Sequence, residues 1–273
     1  SEGRQEQTFK TDQDNALIYE TPPEEWEAIK QAKLYFRRFG NLAIEHLANC
    51  GYPLCKGQMM ASNPKWRKPY STWHNYFDRW MSAPEPQAVL HATIFFDFRA
   101  GYGDMALADR LRDFLVQEAP RRSIFLIHLA KDCLVNKPPL SFFRNFIVEK
   151  DGEHKNRLDI KTRGLVPYVD FGRLMALKHG IKETNTIARL QALADGDFIP
   201  RDLYVETREA YEYQMQLRLV HQLQMMEAGN KPDNYIDPAE LSDLEKQTLK
   251  EAFAVISRLQ GYIKSEMRVT EVD

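Results

Sequence analysis

The chain has 273 residues, 43% hydrophobic and 28% charged, and a formal net charge of -2. This charge argues against a general nucleic-acid-binding surface, which needs a basic excess, and leaves a local basic patch as an alternative. No apolar run has the length of a membrane span, and no signal peptide is evident. The three cysteines, Cys50, Cys55 and Cys133, lack CxxC spacing, so the sequence indicates neither a disulfide framework nor a zinc finger, and it favours a reducing cytoplasm.

The N-terminal segment contains two closely spaced aspartates that are candidates for a functional site. Asp12 and Asp14 precede an apolar run that is typical of a strand. Alternate strand side chains share a face, so their carboxylates are predicted to lie close together. At about 4 Å, and an effective dielectric of about 20, their repulsion is on the order of 4 kcal/mol. A cation, a proton or a basic neighbour must offset it, and Mg²⁺ fits best. A solvated turn pair is the alternative.

The turn before these aspartates is small, polar and basic. It contains Ser1, Gly3 and Arg4, and Lys10 follows. Backbone N–H groups and basic side chains in such turns hold phosphate groups. The segment therefore favours phosphate next to the acidic pair.

Two helices and a loop are predicted next. A helix begins after Thr21 and runs to about Asn49, and its apolar residues are predicted to face the core. These are Ile29, Ala32, Phe36, Phe39, Ala43 and Leu47. The loop 50–67 is rich in Gly, Asn and Pro and carries Trp66, which fits a packed surface loop and a substrate-holding loop equally well. A short helix follows over 71–80.

The run 88–99 is the most strand-like in the chain, and Asp97 interrupts it. A carboxylate inside an apolar strand carries a desolvation penalty unless it is paired or bound to metal, so Asp97 is the candidate third acid. Arg99 shares its face and is either a salt-bridge partner or a phosphate contact. The pattern predicts a site where three carboxylates meet.

The second half of the chain is predicted to be mainly helical. Pro138 and Pro139 mark the predicted boundary between a unit 1–137 and a unit 138–273. A hairpin is predicted from the segments 142–148 and 157–168. Helices follow at about 168–179, 184–195, 200–228 and 238–267, which suggests a bundle. Lys161 and Arg163 lie in the second of these segments, and basic residues beside a turn are more often solvated than functional.

Three segments carry a family resemblance. The serine and Asp-x-Asp of the N-terminal segment resemble the Gly-Ser…Asp-x-Asp signature of the DNA-polymerase-β-like nucleotidyltransferase superfamily. Within the loop 50–67, the Cys-x-Gly…Met-Ala-x-Asn-x-x-Trp pattern resembles a bacterial family described as nucleotidyltransferases, usually found behind cyclic-nucleotide-binding and CBS domains. The Asp-x-Lys-x-x-Gly-Leu-x-Pro run that starts at Asp159 is similar to the same family. It is distantly similar to the uridylyltransferase that acts on the nitrogen-signalling protein.

The resemblance implies an α+β fold, in which a small mixed sheet with flanking helices precedes a C-terminal helical bundle. It implies transfer of an NMP from a nucleoside triphosphate to an acceptor hydroxyl, with pyrophosphate release. Asp12, Asp14 and Asp97 would hold two Mg²⁺ ions, or Mn²⁺, and Asp97 would be a general base or only a ligand. The nucleotide contacts would be Ser1, Gly3, Arg4, Lys10, Arg99, Lys161 and Arg163.

The resemblance also implies a role in signalling. The strand that precedes the signature in the superfamily is absent, so we expect a fragment of a longer protein with upstream regulatory domains. The acceptor is unidentified: a protein tyrosine, a small molecule and an RNA end are the alternatives. A catalytically silent nucleotide-binding module and a helical interaction scaffold remain as alternative functions.

Overall fold

The computed structural model describes residues 2–270 and has the α+β fold that the sequence predicts. The chain forms two compact units. The first comprises the residues up to Gln7 and Thr11–Gln117, and the second comprises Thr8–Lys10 and the chain from Glu118 onward. A search of the described residues finds no helix with both the length and the apolar character needed to cross a bilayer.

The first unit begins with a 3₁₀ turn, Glu2–Arg4. Its further elements are β1 (Leu17–Tyr19), α1 (Trp26–Asn49), β2 (Arg67–Pro69), α2 (Tyr70–Ser82), α3 (Pro86–Phe95) and α4 (Met105–Glu118). The strands β1 and β2 pair in parallel, with Tyr19 opposite Pro69. The Leu17 N–H donates to the Trp66 carbonyl at 2.9 Å, and the Trp73 indole donates to the Leu17 carbonyl at 2.9 Å. These bonds fix β1 between β2 and α2.

Aromatic side chains from the two halves of the first unit build its core. Trp66, Trp73, Phe77, Phe95 and Phe96 are all buried. The Trp66 ring lies 4.4 Å from Phe95 and 6.1 Å from Trp73 between centroids. Large rings bury much apolar area per residue, which lets a sheet of only two short strands hold this unit together.

The predicted strand over 88–99 is wrong, because these residues form the helix α3 and a bend that contains Asp97. The sequence of α3 is apolar on nearly every side of the helix, so it has no continuous polar face. Periodicity alone does not separate a short, all-apolar helix from a buried strand. Pro86 occupies the first turn, where its missing N–H costs nothing, and it favours the helix.

The helix α1 has nearly its predicted bounds, but its predicted core face is only half-buried. Only Gly40 and Ile44 are buried, whereas Phe39 and Leu47 are about a third exposed. A Cβ on Gly40 would lie 2.6 Å from the Ala61 carbonyl oxygen, so the glycine permits a close approach. Ile44 packs against Met60 and Ala61 in the same place. The helix therefore supports the loop 50–67 through a narrow contact.

The second unit is mainly helical. Its elements are the 3₁₀ turn Ala119–Arg121, α5 (Ser123–Cys133), β3 (Leu158–Asp159), the π-helix Lys161–Leu165, α6 (Val166–Lys178), α7 (Thr186–Asp195), α8 (Arg201–Glu227), β4 (Tyr235–Ile236), the 3₁₀ turn Pro238–Glu240 and α9 (Asp243–Met267). The helices α6 to α9 correspond to the four predicted ones. The division between the units precedes α5, whereas the predicted boundary follows it.

The predicted hairpin of the second unit is wrong. The strand β3 pairs antiparallel with β4, with Leu158 opposite Ile236, and not with the segment 142–148. The Asp159 carboxylate accepts hydrogen bonds from the N–H groups of Lys161 and Thr162, at 3.0 and 2.9 Å. Such side-chain acceptors satisfy the free N–H groups at a helix start. The chain therefore turns into a helix where the sequence suggested a strand.

Ser242 caps α9, and its removal is expected to cost about 1 kcal/mol of unfolding free energy. Its side chain accepts from the Glu245 N–H, and the Glu245 carboxylate accepts from the Ser242 N–H, which is a capping box. We expect Ser242→Ala to lower the urea midpoint and Ser242→Asp to preserve it. Ser257→Ala, at an exposed position within α9, is the control and should have no cost. Equal effects of Ser242→Ala and Ser257→Ala would contradict the assignment.

Candidate functional site

Gln13 places the two N-terminal aspartates on the outside of the first unit. It is only 4% exposed, and its side-chain amide donates to the carbonyls of Ile44 and Tyr52 at 3.1 and 2.9 Å. In the same segment, the Asn15 N–H donates to the Met59 carbonyl at 2.9 Å. With Gln13 turned inward, Asp12 and Asp14 are both exposed. The alternation predicted for a strand thus holds in an extended segment that precedes β1.

The loop 50–67 brings a third potential ligand to the aspartates. The ligand atoms of Asp12, Asp14 and Cys55 all lie within 4.8 Å of one another. The Cys55 thiol is partly buried, which raises its pKa, and its hydrogen bond to the Asp14 carboxylate raises the pKa further. Backbone N–H groups of Met59 and Gly57 act in the opposite direction. At neutral pH the thiol is therefore a hydrogen-bond donor to Asp14.

Asp97 lies in a different environment, after the C-terminal end of α3. It is 7% exposed, and its carboxylate accepts a charged hydrogen bond from Arg4 at 3.0 Å. Arg112 donates to the carbonyls of Phe96 and Phe98, both at 2.6 Å, and so fixes the backbone on either side. Among the described residues, no group of three or more potential metal-ligand side chains includes Asp97. The three carboxylates therefore do not form the compact cluster that the sequence predicts.

The N-terminal turn packs against the same bend. A Cβ on Gly3 would lie 1.6 Å from the Asp97 carbonyl oxygen, so only glycine fits there. Arg4 also donates to the Glu6 carboxylate at 2.8 Å. Arg99 pairs with Glu2, which is the salt-bridge alternative of the sequence analysis. Gly3, Arg4 and Arg99 thus have structural contacts, and their contacts to a phosphate stay predictions.

The other predicted nucleotide contacts are Ser1, Lys10, Lys161 and Arg163, and they too stay predictions. Ser1 lies outside the described residues. Lys10 belongs to the second unit, where its backbone N–H donates to Gln222 at 3.2 Å. Lys161 and Arg163 also belong to the second unit, and the Arg163 side chain donates to the Lys137 carbonyl at 3.4 Å. None of these contacts involves the acidic pair.

The donor set of the cluster suits a hard divalent cation. Carboxylate oxygens are the ligands that Mg²⁺ prefers, and Mn²⁺ accepts the same set. A thiol is a soft ligand, so Cys55 fits such an ion poorly and acts instead on Asp14. Sequence reasoning missed Cys55 because its spacing matches no metal motif. Its only signal was its place in the Cys-x-Gly pattern.

An α+β unit with paired aspartates, followed by a helical unit, is compatible with a nucleotidyltransferase, and two family models identify this class. The family model described as "Putative nucleotidyltransferase DUF294" matches residues 1–87, and the model described as "Putative nucleotidyltransferase substrate binding domain" matches residues 123–267. The second match alone covers more than half of the chain. The chain belongs to this nucleotidyltransferase family. No curated protein matches it.

The two matches divide the site residues unequally. The first match includes Asp12, Asp14 and Cys55, and it ends before Asp97. The second begins at the first residue of α5 and ends with α9, so it spans the helices of the second unit. The family thus has its substrate-binding part in the helical unit.

Proposed function

We propose that the chain transfers an NMP from a nucleoside triphosphate to an acceptor hydroxyl, with a divalent cation held by Asp12 and Asp14. The observation that carries the proposal is the convergence of the two exposed carboxylates within 4.8 Å, in a member of this family. Two carboxylates at that distance repel each other, and a bound cation would offset the repulsion. Mg²⁺ is the expected ion.

The chain's own residues contribute fixed positions. Gln13 and Asn15 tie the acidic segment to the loop 50–67, and the Cys55 thiol donates to Asp14, so the carboxylates are held before substrate arrives. A bound Mg²⁺ would supply charge neutralisation for the triphosphate and for the leaving pyrophosphate. The acceptor hydroxyl releases its proton to solvent and its oxygen bonds to the α-phosphorus. The bond between the α-phosphorus and the oxygen that bridges to the β-phosphate breaks, and pyrophosphate leaves.

Asp97 is left out of this proposal. Its carboxylate is engaged by Arg4 and does not join the cluster. Its predicted roles, as a third ligand or as a general base, therefore stay predictions.

The absence of Asp97 from the cluster favours a second candidate function, a nucleotide-binding regulatory module without turnover. A site with two carboxylates has fewer ligands for a pair of ions than the predicted site with three.

The biological setting is part of the proposal. We propose a signalling role because the related family is associated with sensor domains. The free thiols of Cys50, Cys55 and Cys133 support a cytoplasmic location. The nucleotide base and the acceptor are not assigned.

Pyrophosphate release should require a divalent cation. We expect the chain, incubated with each nucleoside triphosphate and Mg²⁺, to release pyrophosphate with at least one of them, and excess chelator to reduce the rate to background. Calorimetric titration of Mn²⁺ into the chain should show binding, and Asp12→Asn should weaken it. Metal-dependent nucleotide binding without pyrophosphate release would support the silent module. Release that persists in chelator would overturn the proposal.

A further inference from the structure

A cavity of about 560 Å³ opens in the first unit, away from the acidic pair. We call it the basic cavity, after the four cationic side chains in its lining: Lys33, Arg37, Arg67 and Lys68. Of the acidic residues within 2–270, only Glu24 lines it. Small-molecule sites in proteins occupy roughly 300–1,000 Å³, so the basic cavity has the size of a nucleotide site.

The cationic side chains have few counter-charges. Among the described residues, Lys33, Arg37 and Lys68 form no ion pair. Arg67 donates to the carbonyls of Ala61 and Ser62 at 2.8 and 2.9 Å. Burial lowers the pKa of Arg67, Tyr19 opposes this shift, and the like charge of Arg37 adds to it. Four cations that line one cavity with a single carboxylate create a potential that attracts anions.

The backbone around the basic cavity adds to this potential. Tyr19 and Pro69, the last residues of the parallel strands β1 and β2, line the cavity, and so does Thr72 in the first turn of α2. Ligands of open α/β sheets bind beyond the carboxyl ends of parallel strands. The N-terminal end of a helix carries a partial positive charge that favours phosphate. Four side chains and a helix end thus act in the same sense.

The basic cavity is separate from the proposed cation site. Asp14 precedes Leu17, the first residue of β1, whereas the cavity lies beyond Tyr19, the last residue. Neither Asp12, Asp14 nor Cys55 lines it. A phosphate group held there would therefore lie at the other end of the strand from the acidic pair.

We propose that the basic cavity binds a phosphorylated small molecule of nucleotide size through its phosphate groups. The cations hold the phosphates, and apolar side chains in the lining, such as Ile29 and Leu34, contact the rest of the molecule. This site is additional to the one that holds the substrate's reacting phosphates. The proposal does not depend on the proposed catalytic function.

The probe is inorganic triphosphate, titrated into the full chain in excess chelator at low salt and followed by calorimetry. We expect saturable binding that weakens about tenfold in Arg37→Gln and in Lys68→Gln, since each loses a charged phosphate contact. Arg38→Gln is the matched control, because Arg38 is adjacent on α1 and does not line the cavity. It should change the affinity less than twofold. Unfolding midpoints of all variants should match that of the parent chain.

Two further titrations identify the class of ligand and distinguish the basic cavity from the acidic pair. ATP that binds more tightly than triphosphate would assign a nucleotide, and equal affinities would assign a free polyphosphate. Asp14→Asn should leave triphosphate binding in chelator unchanged. If Arg37→Gln unfolds the chain, Lys33→Gln replaces it. The absence of saturable binding, equal losses in Arg37→Gln and Arg38→Gln, or loss in Asp14→Asn would each overturn the proposal, whether or not pyrophosphate release is observed.

Discussion

Replacing Asp14 with asparagine is expected to reduce pyrophosphate release on the order of a thousandfold, or about 4 kcal/mol in the activation barrier. The amide carries no charge, so it weakens both cation binding and the neutralisation of the triphosphate. Stability should not fall, because the substitution removes the repulsion between two exposed carboxylates. An unchanged or raised unfolding midpoint together with lost activity is typical of a functional residue.

Asp109→Asn is the control for this experiment. Asp109 is exposed on α4 in the first unit, so its substitution makes the same change in charge away from the cluster. Initial rates of pyrophosphate release should match those of the parent chain. Full activity in Asp14→Asn would rule out a catalytic cation at this pair. If the parent chain releases no pyrophosphate, loss of Mg²⁺-dependent nucleotide binding in Asp14→Asn would instead support the silent module.

Replacing Arg4 with glutamine is expected to lower the free energy of unfolding by about 3 kcal/mol. The Asp97 side chain is 3% exposed, and Arg4 is 16% exposed where the two form their ion pair. Loss of the guanidinium removes a charged partner from a buried carboxylate, and burial of an under-compensated charge is costly. Urea unfolding followed by tryptophan fluorescence measures the effect, because Trp66 and Trp73 lie in the core of the same unit.

Arg99→Gln provides the comparison. Arg99 pairs with Glu2 at the surface, and exposed pairs contribute at most about 1 kcal/mol. A loss of 3 kcal/mol in Arg4→Gln beside a small loss in Arg99→Gln would support a structural role for the Arg4–Asp97 pair. Equal, small losses would show that Asp97 does not depend on Arg4. A prediction of catalytic importance for Asp97 would then regain weight.

The sequence predicted the helices of the second unit well. The helices α6 to α9 lie close to the predicted ranges. Long helices have apolar residues at helical spacing and clear capping residues, and these local signals are sufficient to predict them. Shorter elements were less predictable. The strand β3 has two residues and pairs with β4, far along the chain, so its partner depends on tertiary packing.

The candidate site was likewise predictable only in part from the sequence. Local sequence determined the acidic pair, since one intervening residue, Gln13, turns inward and leaves Asp12 and Asp14 on the same exposed side. Tertiary structure decided which group joins them. Asp97 was predicted, but α3 is a helix and Arg4 engages the carboxylate, whereas the loop 50–67 delivers Cys55. The spacing of residues within one segment fixes only near neighbours, and the meeting of distant segments depends on how the whole unit packs.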